Sequence, residues 1–305
     1  MISIVITRRE LLAGSAALAG AATLRAFKSH LTKAHISAIT DEIGVTQADA
    51  IAFAHQYGLQ WVELRNVPET KKEFAFLPDP ELRRWAAELA SNKLKVSFLN
   101  TSLLKFPWPG TEGSKPSAAD LKRWENRKAD VESAVRAANI LGVDKVRVFT
   151  GTRVERPETT HPLIVRTIEE LIPIAEKAKV RLVIENEYSQ NIGTSAESKT
   201  ILELLPSKTV GLNWDPENAL HLNETPWPDG YALVPKARMM NVQFKARNIL
   251  DSSTQKLNWK AILDAMQKDG YQGQIGLETH SPPETLIRDA NESMKNMLHI
   301  VGEIS

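Results

Sequence analysis

Four oxygen-bearing side chains stand at the ends of short apolar runs in the second half of the chain. They are Glu185 in "LVIENEY", Asp215 in "LNWDPEN", Gln243 in "VQFKAR" and Glu278 in "GQIGLETHS". An unpaired carboxylate is costly to bury, so a strand that delivers one at its tip must solvate it, pair it with a cation or bind it to a metal. Taken singly, each of the four is explained as a helix cap, a surface charge or, for Gln243, a buried structural amide. Taken together, three converging carboxylates would repel strongly, and a divalent cation removes that repulsion. Three carboxylates and an amide oxygen form a hard, all-oxygen set. It suits Mn²⁺, Mg²⁺ or Co²⁺ better than a structural zinc, although Zn²⁺ lies within its range. One divalent metal ion is the expected cofactor.

The neighbours of these residues suggest a substrate site. Lys245 follows Gln243 by two and points to the same side of a strand. It could polarise a carbonyl, act as an acid, or pair with Asp215 or Glu278. Arg247 could bind a hydroxyl or a carboxylate. His280 follows Glu278 by two and could orient a metal-ligating carboxylate by a hydrogen bond. Asn218, three residues after Asp215, joins the substrate candidates, as do Glu63 and Asn100 on earlier strands, which could hold hydroxyls. Trp108 offers an aromatic face for a sugar. Arg147 reads as an inward-facing residue or a buried ion-pair member, and His221, Trp214 and Phe98 read as structural.

Eight apolar runs must position these groups: His35–Thr40, Trp61–Leu64, Val96–Leu99, Lys145–Phe149, Arg181–Ile184, Val210–Trp214, Asn241–Phe244 and Gln274–Leu277. Most are rich in Val, Ile, Leu or Phe, as parallel strands buried on both faces are. Helical patterns lie between them over residues 46–58, 121–142, 162–179, 257–270 and 282–304, the first two ending in glycine. Residues at or beside the strand tips, from Asp41 to Glu278, recur every 22 to 49 positions, one strand–helix unit at a time. The expected fold is therefore α/β, a single (β/α)8 TIM barrel over residues 34–305. A doubly wound open sheet is the alternative, but the turn after its first strand would be glycine-rich, and here "TDEIGVT" has one glycine. The segment 105–120, rich in Pro, Gly and Ser, reads as an extended loop over the barrel mouth.

The chain has 305 residues, no cysteine and a net charge of +1. Disulfides, thiolate metal sites and a cysteine nucleophile are thereby excluded, and nothing in the charge points to nucleic acid. The N-terminus stands apart. Arg8-Arg9 precedes "LLAGSAALAGAATL", an apolar stretch without charge and too short to span a bilayer comfortably. It reads as a twin-arginine export signal over about residues 1–33. That segment holds five Lys/Arg and one Asp/Glu, so its removal takes the net charge from +1 to −3. The expected location is periplasmic, or cytoplasmic if the stretch is instead a helix of the mature fold. No stable membrane anchor is expected, and a homo-oligomer is left open.

The segments "ISAITDEIG", "VDKVRVFTG", "VRLVIENE", "GLNWDPENAL" and, most specifically, "LNWKAILDAMQKDGYQGQIGLETHS" resemble the xylose-isomerase-like barrel superfamily, which includes the sugar phosphate isomerases and epimerases. The resemblance covers nearly the whole chain after the signal. It implies one divalent metal held by Glu, Asp, His and Glu on strands five to eight, which fall on Glu185, Asp215, Gln243 and Glu278. Glutamine replaces the usual histidine, as it does in relatives that dehydrate 3-dehydroshikimate. The resemblance further implies proton abstraction beside a carbonyl through an enediolate, with Glu185 and Glu278 as the two proton-handling carboxylates and a sugar or keto-polyol as substrate. Epimerisation, aldose–ketose isomerisation and dehydration all begin with that step. Glu187, where relatives often have histidine, and Gln243 leave room for a periplasmic sugar-binding barrel without turnover. The repair endonucleases of the same barrel need a histidine-rich site and a basic groove, which seven scattered histidines and near-zero charge do not supply. No P-loop, G-x-S-x-G elbow or H-E-x-x-H motif appears.

Overall fold

The apolar runs pair side by side in chain order. In the computed structural model, which describes residues 30–245 and 257–304, eight parallel strands form one sheet: β1 (Ile36–Ala38), β2 (Trp61–Leu64), β3 (Lys95–Leu99), β4 (Lys145–Val148), β5 (Arg181–Glu185), β6 (Val210–Trp214), β7 (Met239–Lys245) and β8 (Gln274–Glu278). β1 pairs with β8 through Ile36–Ala38, and a further bridge between Ile39 and Glu63 brings β1 against β2. The result is a nearly closed (β/α)8 barrel. The runs are short and β-branched because helices cover their outer faces and side chains fill the interior.

A helix follows each strand: α1 (Gln47–Gln56), α2 (Asp79–Ser91), α3 (Ala118–Leu141), α4 (His161–Ala178), α5 (Ser195–Leu204), α6 (Pro216–Leu220), α7 (Trp259–Lys268) and α8 (Leu286–Ile304). Local sequence sets their ends. Thr46, Ser117 and Thr194 each accept a backbone N–H three residues on, and Asp49, Asp120 and Glu197 answer in capping boxes. α3 stops at Gly142, whose φ of 71° is the left-handed conformation glycine adopts without strain. The helical patterns at 46–58, 121–142, 162–179, 257–270 and 282–304 fall on α1, α3, α4, α7 and α8. α2 and α5, not singled out above, carry proline in the first turn and a Thr-x-x-Glu box respectively.

Strands β2 and β7 run beyond the residues marked as their tips. Glu63 is the third residue of β2, and β7 continues past Gln243 to Lys245. Both marked residues therefore lie inside the barrel, one step below the mouth. The segment expected to be an export signal, residues 1–33, lies outside the described residues except for its last four. Of these, Leu31 is fully buried and its N–H donates to Gln267 at 3.0 Å, so packing into the barrel begins ahead of residue 34. Among the described residues, no helix is long and apolar enough to cross a membrane.

Candidate active site and metal centre

At the C-terminal mouth, β5, β6 and β8 bring Glu185, Asp215 and Glu278 together. One carboxylate oxygen from each lies within 4.8 Å of the others, and all three residues are buried. β5 and β8 end on Glu185 and Glu278, whereas Asp215 follows β6 directly and caps α6. Its Oδ1 accepts the Asn218 N–H at 3.0 Å and its Oδ2 accepts the Asn218 side chain at 2.9 Å. Asn186 pins the backbone on either side of that cap: it donates to the Asp215 carbonyl and accepts the Asp215 N–H, both at 2.7 Å.

Built-in cations partly neutralise the cluster. Arg147 donates to Glu185 Oε2 at 2.9 Å, and Asn213 donates to the same oxygen at 2.5 Å. Lys245 Nζ lies 2.6 Å from Asp215 Oδ2, 3.1 Å from Asn218 Oδ1 and 3.7 Å from Glu278 Oε2. Arg65 bridges Asp41 at 3.0 Å, Glu42 at 2.8 Å and Glu278 Oε1 at 3.4 Å. His280 Nε2 lies 3.2 Å from the same Glu278 oxygen, and Glu42 accepts the backbone N–H groups of Thr279 and His280. Five carboxylates thus face three cationic side chains, Arg65, Arg147 and Lys245, an excess of two negative charges.

Electrostatics follow from that list. Burial opposes the Lys245 charge, but Asp215, Glu278 and Glu185 outweigh it and hold the ammonium well above its ordinary value. Burial likewise opposes ionisation of Glu278, and Lys245, His280 and Arg147 overcome it, so its carboxyl sits well below the usual range. Burial pushes Asp215 up, to about 7, while Lys245 works against that. Two Asn218 donors within 3.0 Å of its oxygens work with Lys245 against burial, favouring the ionised form.

The residues fit a divalent cation. Besides the carboxylate convergence and the charge excess, the candidate ligand Gln243 has its amide oxygen, Oε1, buried without a hydrogen-bond partner. Gln243 lies on β7, between the strands that carry Asp215 and Glu278. A second acidic group, Glu42, Glu278 and His280, shares Glu278 with the first.

Above these residues is a cavity of about 500 Å³, lined by Lys105, Glu187, Tyr188, Glu217, His221 and His280, with Asn218 and Lys245 at its base. That volume suits a small molecule. Lys105 crosses it to Glu187 at 2.8 Å, so the loop after β3 does reach the mouth. A larger cavity of about 920 Å³ lies at the opposite end, around Lys145, Arg181 and Gln274, away from the carboxylates.

The candidate substrate residues divide. Asn218, Lys245 and His280 line the mouth cavity. Glu63 and Asn100 lie below it, fully buried and hydrogen-bonded to each other at 2.7 Å. Trp108 is buried under its own loop, donating to the Leu104 carbonyl at 3.0 Å with its ring against Trp124, so its face is spent on packing. Arg247 lies outside the described residues. Four contributors were not anticipated: Arg65, Glu42, Asn186 and Asn213. Arg65 follows Glu63 by two in "VELRN", and that spacing is the signal that it shares an inward side.

A family model described as xylose isomerase-like TIM barrel matches residues 51–297. No curated protein matches the chain in sequence. Among solved structures, a xylose isomerase-like TIM barrel protein from Mycobacterium smegmatis in complex with magnesium is 17% identical. It has a TM-score of 0.63 over 89% of this chain and 99% of that one. The D-psicose 3-epimerase from Clostridium cellulolyticum H10, solved with D-tagatose, is 13% identical, TM-score 0.66, over 88% and 99%. The probable 3-DHS dehydratase AsbF from Bacillus anthracis is 13% identical, TM-score 0.65, over 86% and 98%. At these identities the likeness is one of fold.

Proposed function

The chain belongs to the xylose isomerase-like TIM barrel family, and from that premise we propose that it is a divalent-metal-dependent sugar isomerase or epimerase. The observation that carries this reading is the convergence of Glu185, Asp215 and Glu278 at the barrel mouth. With Gln243 they would hold the ion. When bound, a divalent cation supplies Lewis-acid polarisation of the substrate carbonyl, which acidifies the neighbouring C–H.

The protein's own residues handle the proton. Glu278 Oε2 is buried and has no hydrogen bond, which leaves it to accept a proton from carbon. Arg65 and His280 hold its other oxygen and so fix the carboxyl plane. Arg147 and Asn213 do the same for Glu185 through its Oε2. One glutamate removes the proton and the other returns one. Return to the opposite face of the same carbon gives the epimer; return to the adjacent carbon gives the aldose–ketose isomer. Lys245 and Asn218, at the base of the cavity, are placed to orient substrate oxygens.

Loss of a β-hydroxyl after the same abstraction would make the protein a dehydratase. Gln243 favours that second reading, since glutamine also stands at this position in dehydratase-type relatives. Periplasmic export is part of the proposal and rests on Arg8-Arg9 and the apolar run behind them. Fractionation of a tagged protein against Arg8→Lys/Arg9→Lys tests it, and an unchanged location for the pair refutes it.

The function itself is tested by the metal content of wild type and Asp215→Ala, then by deuterium exchange from solvent into keto-sugars. About one ion per chain, lost in the variant, is expected. Glu185→Gln and Glu278→Gln should each abolish exchange with the fold intact. Exchange retained by either variant refutes the two-carboxylate assignment. A dehydrated product in place of an epimer selects the second reading.

A further inference from the structure

Beneath the carboxylate cluster lies a second polar layer that the reaction does not use. Glu63 stands at its centre, fully buried, with no cation hydrogen-bonded to it. Its Oε1 accepts from Ser37 Oγ at 2.9 Å and Asn241 Nδ2 at 3.2 Å. Its Oε2 accepts from Asn100 Nδ2 at 2.7 Å and Gln243 Nε2 at 2.9 Å. Four neutral donors fill the four acceptor positions of one carboxylate. Room for it comes from Gly276, where a Cβ would lie 2.0 Å from Glu63 Oε1.

We propose that Glu63 is a positioning residue that turns the Gln243 amide so that its oxygen serves as the fourth metal ligand. The inference rests on the metal-dependent reading above. The two ends of an amide have nearly the same shape, so hydrogen-bond partners decide which end faces where. Gln243 Nε2 meets two acceptors, Glu63 Oε2 and, at 3.5 Å, Asn100 Oδ1. The reverse orientation would set the amide oxygen against both. Oε1 is therefore the end left over, buried and without a hydrogen bond. A buried acceptor in that state has lost its hydration without a replacement, and a cation offsets that loss.

The arrangement is the amide counterpart of a metal-ligating histidine whose far N–H is held by a carboxylate. A histidine at position 243 would meet the same Glu63 as an N–H donor, so one buried glutamate supports either residue type. The support extends further. Asn241 also donates to Asn213 Oδ1 at 3.1 Å, and Asn213 donates to Glu185 Oε2, so Glu63 is linked to a second candidate ligand.

The test is Mn²⁺ binding by calorimetry to wild type, Glu63→Gln, Gln243→His and Gln243→Met, with Asp215→Ala as control. Glu63→Gln should weaken Mn²⁺ about 10- to 100-fold. Gln243→Met should weaken it comparably, while Gln243→His retains it. The visible bands of Co²⁺-loaded Gln243→His should shift from wild type because nitrogen replaces oxygen at the ion, a change a purely structural residue would not produce. Wild-type affinity in Glu63→Gln or in Gln243→Met overturns the proposal, as do unshifted Co²⁺ bands. Should Glu63→Gln fail to fold, the two Gln243 variants decide. Metal uptake by wild type but not Asp215→Ala, with Glu63→Gln and Gln243→Met unchanged, leaves the functional reading standing and removes this inference. Absence of uptake in wild type removes both.

Discussion

Lys245 Nζ lies 2.6 Å from Asp215 Oδ2, placing an ammonium among the carboxylates that would hold a metal. The lysine also borders the substrate cavity, so it stands between the two. Its stem is flexible and its charge is a point, which makes it a displaceable counter-ion rather than a fixed clamp. Arg147, whose guanidinium also donates to the Thr101 carbonyl at 3.1 Å, is the fixed one.

Lys245→Met should therefore tighten Mn²⁺ binding at least about tenfold, because the ammonium sits against two of the carboxylates that would hold the ion, and like charges held that close in a buried site repel by more than the energy of a tenfold change in affinity. In EDTA the same variant should lose stability by about 3–5 kcal/mol, since Asp215 is left buried without its partner. Adding Mn²⁺ should recover most of the loss. Calorimetry and urea unfolding with and without metal measure both effects. Unchanged or weaker Mn²⁺ binding in the variant would show that the ammonium does not compete with the ion.

Gly276 makes room for Glu63, and Gly276→Ala should cost about 2–3 kcal/mol. The added methyl would lie 2.0 Å from Glu63 Oε1, and that carboxylate is pinned by four hydrogen bonds and cannot swing aside. Urea unfolding of the variant gives the number. A loss below about 0.5 kcal/mol, the range of an ordinary surface substitution, would mean the interior accommodates it.

His280 is paired with Glu278, and that carboxylate raises its pKa above 6.5, against the opposing effect of burial. In metal-free protein, NMR titration of His280 should show this rise, and Glu278→Gln should return the value toward 6.5. The pair's contribution to stability is fully present below pH 6.5 and is lost as pH rises through the raised value. A His280 titration unaffected by Glu278→Gln would break the assignment.

The barrel was legible because eight buried parallel strands are written as apolar runs and their spacing repeats. The carboxylates were legible because an apolar run that ends in Glu or Asp is unusual. Depth was not. Sequence alternation tells which side of a strand a residue faces but not how far the strand continues, so Glu63, Asn100 and Gln243 read as mouth residues although Glu63 and Gln243 lie within their strands. The polar layer around Glu63 joins β1, β2, β3 and β7, and no local pattern announces a contact between residues 63 and 243. Trp108 failed as a sugar platform for a related reason. Its loop folds back on itself, and the ring packs on Gly151, where a Cβ would come within 2.8 Å.

At the opposite end of the barrel, Lys145 donates to Gln274 Oε1 at 2.8 Å and to the Met240 carbonyl at 3.3 Å, with no carboxylate hydrogen-bonded to it. Burial lowers its pKa from 10.5 to about 8. Between those values the unfolded chain holds the proton and the folded chain releases it, so this residue makes stability rise with pH across that window. Below about pH 8 the buried ammonium opposes folding in full, by an amount on the order of 3 kcal/mol. Lys145→Met removes the titrating group. Urea unfolding from pH 7 to pH 10.5 should show a smaller gain, or a larger fall, in the variant than in wild type. The two profiles should approach each other at the alkaline end. Parallel profiles would mean that the lysine keeps its proton in the folded barrel, held there by Gln274 and the Met240 carbonyl.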